Sequence, residues 1–198
     1  ALGDIVQGFD AFASLRAGNP RAHMTLMTSA GFTSLAKMMP WFDEVITDPR
    51  AGPFNFVANY RIRRRLRENW SIIVDMQCSG RTRRYFSLFQ LSKTRWIGNA
   101  YGCSDPLPNL SGVNNRQRMM KAAEMAGGIE KTADMSWLAA DREECHKGRQ
   151  EDAKLQYAVL VPGCSLAKPQ KRWPAKYFAA VGNDLLARGI IVYVVGTE

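Results

Sequence analysis

Cysteines are few in this sequence, and no spacing pairs them. Cys78, Cys103, Cys145 and Cys164 stand far apart, so no C-x-x-C zinc or redox motif exists and reduced thiols are expected. The one Cys/His neighbour pair, Cys145-His146, would point in different directions on a helix, and no metal site is expected there or at His23. No uninterrupted apolar run reaches the roughly 18 to 20 residues of a membrane span, and no basic, apolar, then small-residue leader opens the chain. A cytoplasmic location is therefore expected. Neither G-x-x-x-x-G-K-[S/T] nor G-x-G-x-x-G occurs, which excludes a Walker loop and the dinucleotide fingerprint. Acids are also scarce: 18 Asp and Glu against 27 Lys and Arg leave a net charge of +9 over 198 residues. That imbalance points to an acidic partner, whether nucleic acid, a phosphorylated lipid surface or a nucleotide-linked small molecule.

What is present is an alternation. From Asp4, apolar Ile5, Phe9, Phe12 and Leu15 recur at three and four, predicting one amphipathic helix that ends near "AGNP". "HMTLMT", "DEVIT", "WSIIVDMQ" and "TRWIG" read as short strands, separated by helices over "GFTSLAKMM", "FNFVANYRIRRRLREN" and "SGRTRRYFSLFQLS". Short apolar runs alternating with helices are the signature of a parallel sheet wrapped by crossover helices, an α/β fold. Around a further helix over "NRQRMMKAAEMAGG" the chain turns polar and irregular, from about residue 100 to 155. The pattern restarts with "YAVLVP", a helix from "WPAKYF" and the strand "IIVYVV". Two domains are expected, 1–155 and 156–198. Both ends read as cut, the first just after a missing strand and the last partway through a domain.

Ligands of open parallel sheets bind at the carboxyl ends of strands, where loops lead into helices. Three such loops are chemically unusual. In Gly3-Asp4 the glycine permits a tight turn and the acid favours the positive end of a helix; Asp4 is either a helix cap or a carboxylate poised as a general base. In "DMQCSGRTRR", polar Asp75 and Gln77 end a strand, and Arg81, Arg83 and Arg84 crowd the first turns of a helix, where cations are disfavoured. This is a solvated basic face or a site for an anionic group. In "VPGCSLAKPQKRWP", Gly163 follows a strand and Ser165, Lys168, Lys171 and Arg172 precede a helix expected to start at Pro174. Cations before a helix N-terminus repel its dipole unless an anion lies between, so this reads as a phosphate-binding loop.

These motifs, in this order, resemble the heptosyltransferases of bacterial lipopolysaccharide synthesis, glycosyltransferase family nine. "LGDIVQGFDAF" is similar to that family's opening, "WSIIVDMQCSGRTRRYFSLFQLSKTRWIG" to its D-x-Q-G segment, and "VLVPGCSLAKPQKRWPAKYF" to its K-x-W-P donor loop. The resemblance implies a GT-B fold, two Rossmann-like domains facing a cleft, with acceptor on the first and a nucleotide-sugar, typically ADP-linked heptose, on the second. It implies Asp4 as the base and Lys171 as the donor-phosphate ligand, assisted by Gly163 and Ser165 and, in the reaction, by Lys168 or Arg172. Gly3, Asp75, Gln77 and Arg81 fall on the acceptor side. No metal and no cofactor are implied. The sequence departs from the family at Cys78, where a glycine is usual, and at Asn114-Asn115, where a histidine is expected.

The implied reaction is an inverting displacement: Asp4 takes a proton from an acceptor hydroxyl as it attacks the anomeric carbon, and the diphosphate leaves toward Lys171. The acceptor would be a phosphorylated glycolipid, with the basic segments 61–65 and 81–84 facing it or the anionic inner membrane, and no specific nucleic acid involved. Two other readings stand beside this one. A basic α/β module that binds nucleic acid would fit the charge, and a family member that binds the sugar nucleotide without catalysis would fit the loops.

Overall fold

The computed structural model describes residues 2–52, 54–89, 94–109, 112–139, 156–163 and 169–196. The chain divides into two compact units, Ala1–Ala140 and Asp141–Glu198. That division and the junction expected near 155 are separated by residues 140–155, which lie outside the described residues.

Unit 1 holds helices α1 (Leu2–Val6), α2 (Phe9–Gly18), α3 (Thr33–Met38), α4 (Phe56–Leu66), α5 (Gly80–Phe89) and α6 (Asn115–Met125). Its strands are β1 (Thr25–Ser29), β2 (Glu44–Asp48), β3 (Ile72–Val74), β4 (Arg95–Gly98) and β5 (Asp105–Pro106). Strand β1 pairs with β2 in register from Thr25↔Glu44 to Ser29↔Asp48, and β3, β4 and β5 form a second ladder. Every strand pair of unit 1 among the described residues is parallel; α3 crosses between β1 and β2 and α5 between β3 and β4, whereas residues 99–104, which hold no helix, lead from β4 to β5. Strand β5 falls in a stretch expected to be irregular. The two-residue pairing is reinforced at its edge by Arg95, whose guanidinium donates to Asp105 at 2.7 Å.

One helix was expected from Asp4 to the "AGNP" turn, and the structure breaks it into α1 and α2 at Gln7-Gly8. Gly8 explains the break. Glycine is a poor helix former, its N–H bonds Ile5 O rather than the carbonyl four residues back, and the Phe12 ring closes to 2.8 Å from where a Cβ would stand. The ring can then join Phe9, Met39 and Trp41 in a buried aromatic cluster. On its other face α2 meets α6 through Ala11, Leu15, Met119, Ala122, Ala123 and Ala126. These small side chains let the backbones approach so closely that a Cβ on Gly18 would lie 1.9 Å from Gly127 O.

Part of the polar, irregular stretch is tied into unit 1 by hydrogen bonds to α2. Ile129 N and Lys131 N donate to Ser14, and Ala133 N donates to Asp10 at 2.9 Å. Trp137 then caps the aromatic cluster with centroids 5.7 Å from Phe9 and 5.8 Å from Trp41. The Ala133 N–H, and after it Arg116, hold the Asp10 carboxyl below its ordinary range against the opposing effect of burial.

Unit 2 pairs β6 (Tyr157–Leu160) with β7 (Ile191–Val194) in parallel, joined by α7 (Ala175–Ala187). The helix crosses both strands at Gly182, where a Cβ would sit 3.7 Å from Leu160 and 3.9 Å from Val192. Among the described residues, no helix is long and apolar enough to cross a membrane.

Candidate active site

The first group of residues lies at the carboxyl ends of β2 and β3. Asp75 follows β3 and extends its ladder by donating from its backbone N–H to Ile97 O at 2.8 Å. Its side chain turns back. Oδ1 accepts from the backbone N–H groups of Gln77 (3.1 Å) and Cys78 (2.8 Å), which closes the turn into α5. Cys78 sits at φ 50°, the left-handed region that glycine occupies without cost. The family's usual glycine at this position thus has a conformational reason, and here Asp75 holds a cysteine in the same shape. The thiol donates to Asp75 O at 3.0 Å, and burial, followed by the neighbouring carboxylate, pushes it up.

Asp75 is only 6% exposed, and its Oδ2 has no hydrogen-bond partner among the described residues; the nearby Thr82 hydroxyl is committed to Ser79. Burial raises the Asp75 carboxyl above its ordinary value of 3.8, opposed by the Cys78 N–H, Thr82, the Gln77 N–H and the charge of Arg118. A raised folded-state value means that the fold favours the protonated form. Its contribution to stability is present at low pH and is lost as pH rises through the folded-state value. Asp75→Asn removes this titration and keeps an oxygen for the two N–H groups. Wild type is expected to lose stability relative to Asp75→Asn from about pH 4 upward, levelling once the carboxylate is ionised. Urea unfolding of both proteins across that range checks it, and parallel curves would refute the assignment.

Arg81 does not stand free for an anion. Its Nε lies 3.2 Å from Asp48 Oδ2, close but poorly aligned for a hydrogen bond, and its Nη2 donates to Gln77 Oε1 at 2.8 Å. Asp48, the last residue of β2, is buried and also accepts from Arg50 N and from the Tyr85 hydroxyl, both at 2.8 Å. Burial first, then the bond to Asp48, pushes the Tyr85 phenol well above its ordinary range. Asp48, Arg81, Gln77 and Asp75 therefore form one chain of contacts linking the ends of the two ladders. Sequence reasoning found Asp75, Gln77 and Arg81 but missed Asp48 and Tyr85. Asp48 stands just after "DEVIT" and before Pro49, a pair that reads as the close of that strand, and the only further signal is an acid at a strand's carboxyl end.

Gly3 and Asp4 lie on α1. Asp4 is in the first turn, exposed, within the helix rather than at its cap. Ile5 packs on the aromatic cluster, as does Met76 just beyond β3, so α1 and the β3 turn rest on the same support. A Cβ on Gly3 would meet nothing within 4 Å. Asn114, standing where a histidine was expected, caps α6 by accepting from Gln117 N at 2.9 Å.

The second group lies in unit 2. Gly163 follows β6 and is exposed; Ser165 and Lys168 lie outside the described residues, as do Cys145-His146. Lys171 ends a short 3-10 turn, Pro169–Lys171, and Arg172, Trp173 and Pro174 lead into α7. Pro174 was expected as the first helical residue and is instead the N-cap, at φ −58° and ψ 139°. It offers the helix no side-chain cap, which leaves first-turn N–H groups for another acceptor. Arg172, Trp173 and Pro174 line a groove of about 740 Å³ together with Leu160, Phe178 and Val194 among others. Trp173 is held there by stacking on Tyr177 and meeting Phe178 edge-on, with centroids at 5.5 and 4.9 Å. Among the described residues, no three His, Cys, Asp or Glu side chains come together as a metal site would need.

Residues 112–198 match the model of Glycosyltransferase family 9 (heptosyltransferase). A Haemophilus influenzae protein named as a candidate glycosyltransferase is 41% identical over 49 residues, 25% of this chain and 14% of that protein. Among solved structures, a glycosyl transferase family 9 protein of Veillonella parvula is similar over 100% of this chain and 60% of its own, at 17% identity and a TM-score of 0.74. Escherichia coli heptosyltransferase WaaC with ADP gives 0.70 at 13% identity, and E. coli ADP-heptose lps heptosyltransferase II gives 0.66 at 16%. The whole chain aligns with 66% and 62% of them. This chain thus spans 60–66% of the length of these structures. Its architecture is that of the GT-B heptosyltransferases, and with the match over residues 112–198 the resemblance to glycosyltransferase family 9 holds.

Proposed function

We propose that the chain supplies the acceptor side and the opening of the donor side of an inverting glycosyltransferase. The donor is a nucleotide-sugar, an ADP-linked heptose, and the acceptor a phosphorylated glycolipid of the lipopolysaccharide core or a related one. The observation that carries this reading is the N-terminus of α7, without a side-chain cap and preceded by Lys171 and Arg172, beside a groove that Arg172, Trp173 and Pro174 help to line. A diphosphate there would accept from first-turn N–H groups and meet two cations, and the leaving group's charge would be stabilised without invoking a metal. The ADP bound by the structurally similar WaaC supports an adenine nucleotide as the probe. Asp4 on unit 1 takes the acceptor's proton.

Thermal melting of the full-length protein against a panel of nucleotides and nucleotide-sugars tests the reading. An ADP-linked sugar at about 100 times its dissociation constant is expected to add roughly 2.7 kcal/mol of stability. No stabilisation by any nucleotide-sugar would overturn it. Lys171→Ala removes one charged hydrogen bond to the diphosphate and is expected to weaken donor binding by roughly 10- to 100-fold, following about 1.5–3 kcal/mol for such a bond. Calorimetric titration with ADP measures this, and unchanged affinity would move the phosphate site elsewhere.

A further inference from the structure

Helix α4 has two unlike faces. Ile62 and Leu66 are buried against Tyr85 and Trp96, which fixes the inward side. At 100° per residue, Val57, Tyr60 and Arg64 fall on the opposite side, flanked by Phe56 and Arg67 on one edge and Arg61 on the other. The apolar members are strongly exposed: Phe54, just before the helix, 86%, Phe56 77%, Val57 65% and Tyr60 67%. Scattered exposed apolar residues are ordinary, but four within seven positions at one end of a helix form a patch.

The charge around that patch has one sign. No acid occurs from residue 49 to 67, which carry six arginines, or from 76 to 104, which carry four arginines and one lysine. Arg65 is taken up by Glu44 and Glu68, whereas Arg61, Arg63, Arg64 and Arg67 are exposed with no acidic partner among the described residues. Arginines in the last turn of α4 complement its dipole, which explains their place on the helix but not the aromatic residues at its other end.

We infer that the outer face of α4 docks on an anionic lipid bilayer, with Phe54, Phe56, Val57 and Tyr60 entering the headgroup region and Arg61, Arg64 and Arg67 meeting lipid phosphates. Aromatic and aliphatic side chains beside arginines on one helix face are what an interfacial helix requires. A nucleic acid would use the arginines but gains nothing from Val57 and Phe54. A second copy of the chain, meeting this face across a two-fold axis, would set the arginines of one copy against those of the other. The inference rests on the proposed function in one respect, that a lipid-linked acceptor brings the enzyme to a bilayer.

The test is co-sedimentation of the full-length protein, without donor or acceptor, with vesicles of 30% phosphatidylglycerol in phosphatidylcholine and with phosphatidylcholine alone, at 0.15 M salt. Wild type is expected to sediment with the anionic vesicles only. The pair Arg61→Gln and Arg64→Gln should weaken that binding about 30-fold, following roughly 1 kcal/mol per arginine near such a surface. The exposed pair Phe56→Ala and Tyr60→Ala should weaken it at least about tenfold. Alanine favours the helix, and circular dichroism establishes that the fold is kept. Binding to neither vesicle, equal binding to both, or indifference to the aromatic pair would overturn the inference. So would salt-sensitive binding to arbitrary duplex DNA, or a dimer abolished by the aromatic pair, each without vesicle binding. Vesicle binding in a protein that no nucleotide-sugar stabilises would leave this inference standing and remove the transferase reading instead.

Discussion

On the proposed transferase reading, replacing Asp4 with asparagine in the full-length protein is expected to lower turnover roughly 10² to 10⁴-fold, the range for loss of a general base. The substitution is nearly isosteric and its site is exposed on α1, so little of the fold depends on it. Loss of an acid from a first helical turn costs only about 0.3–1 kcal/mol. The two sequence readings of Asp4 therefore part clearly. A residue that only stabilises a helix end would shift the melting temperature slightly and leave the rate per folded molecule intact. A base would leave melting and donor affinity nearly unchanged while turnover collapses. Steady-state rates at saturating donor, with ADP titration as the control, separate these outcomes. Full turnover by Asp4→Asn would dismiss Asp4 as the base. Gly3→Ala adds a finer reading, because the protein offers that methyl no neighbour within 4 Å. A rise in acceptor KM for that variant would place the acceptor against α1.

Much of the fold was legible because it rests on periodicity. The parallel strands and their crossover helices followed from alternating apolar runs, and the segments around Asp75 and Lys171 lie between a strand and a helix. What stayed hidden depends on contacts distant in sequence. Gly8 sits inside an unbroken apolar repeat, and only the Phe12 ring folding over it shows why the helix must break. Trp137 lies in a polar stretch, and its place in the core is set by Asp10 and Ser14, more than 110 residues earlier. At the candidate site, Asp75, Gln77 and Arg81 were visible as one segment. The structure shows that much of Arg81's charge is already directed at Asp48 and that Asp75 shapes the backbone turn. Lys171 and Arg172 were legible for a local reason: cations are out of place before a helix N-terminus, and the structure shows that helix without a side-chain cap.

Asp48→Ala is expected to be among the most destabilising substitutions in unit 1. The carboxylate accepts from the Tyr85 hydroxyl and from Arg50 N and lies 3.2 Å from Arg81 Nε, on a residue only 7% exposed. Alanine removes all three partners at once. Tyr85, itself buried, loses the carboxylate that accepts from its hydroxyl, and the guanidinium loses its counter-charge. Breaking a buried pair in this way costs about 3–5 kcal/mol; because Arg81 is partly exposed and solvent screens it, the lower end, about 3 kcal/mol, is expected. In a chain of this length that corresponds to a fall in melting temperature of about 6 to 12 °C. Tyr85→Phe loses only the phenol bond and should cost about 1 kcal/mol. Asp48→Asn keeps an oxygen for Tyr85 and should fall between the two. The effect should also reach the acceptor side, since Arg81 passes the contact on to Gln77 and the Asp75 turn. On the proposed reading, acceptor KM should therefore rise in Asp48→Asn while donor affinity stays constant. An Asp48→Ala protein within about 0.5 kcal/mol of wild type would behave like an ordinary surface variant, and the linkage between the two ladders would then carry no stability.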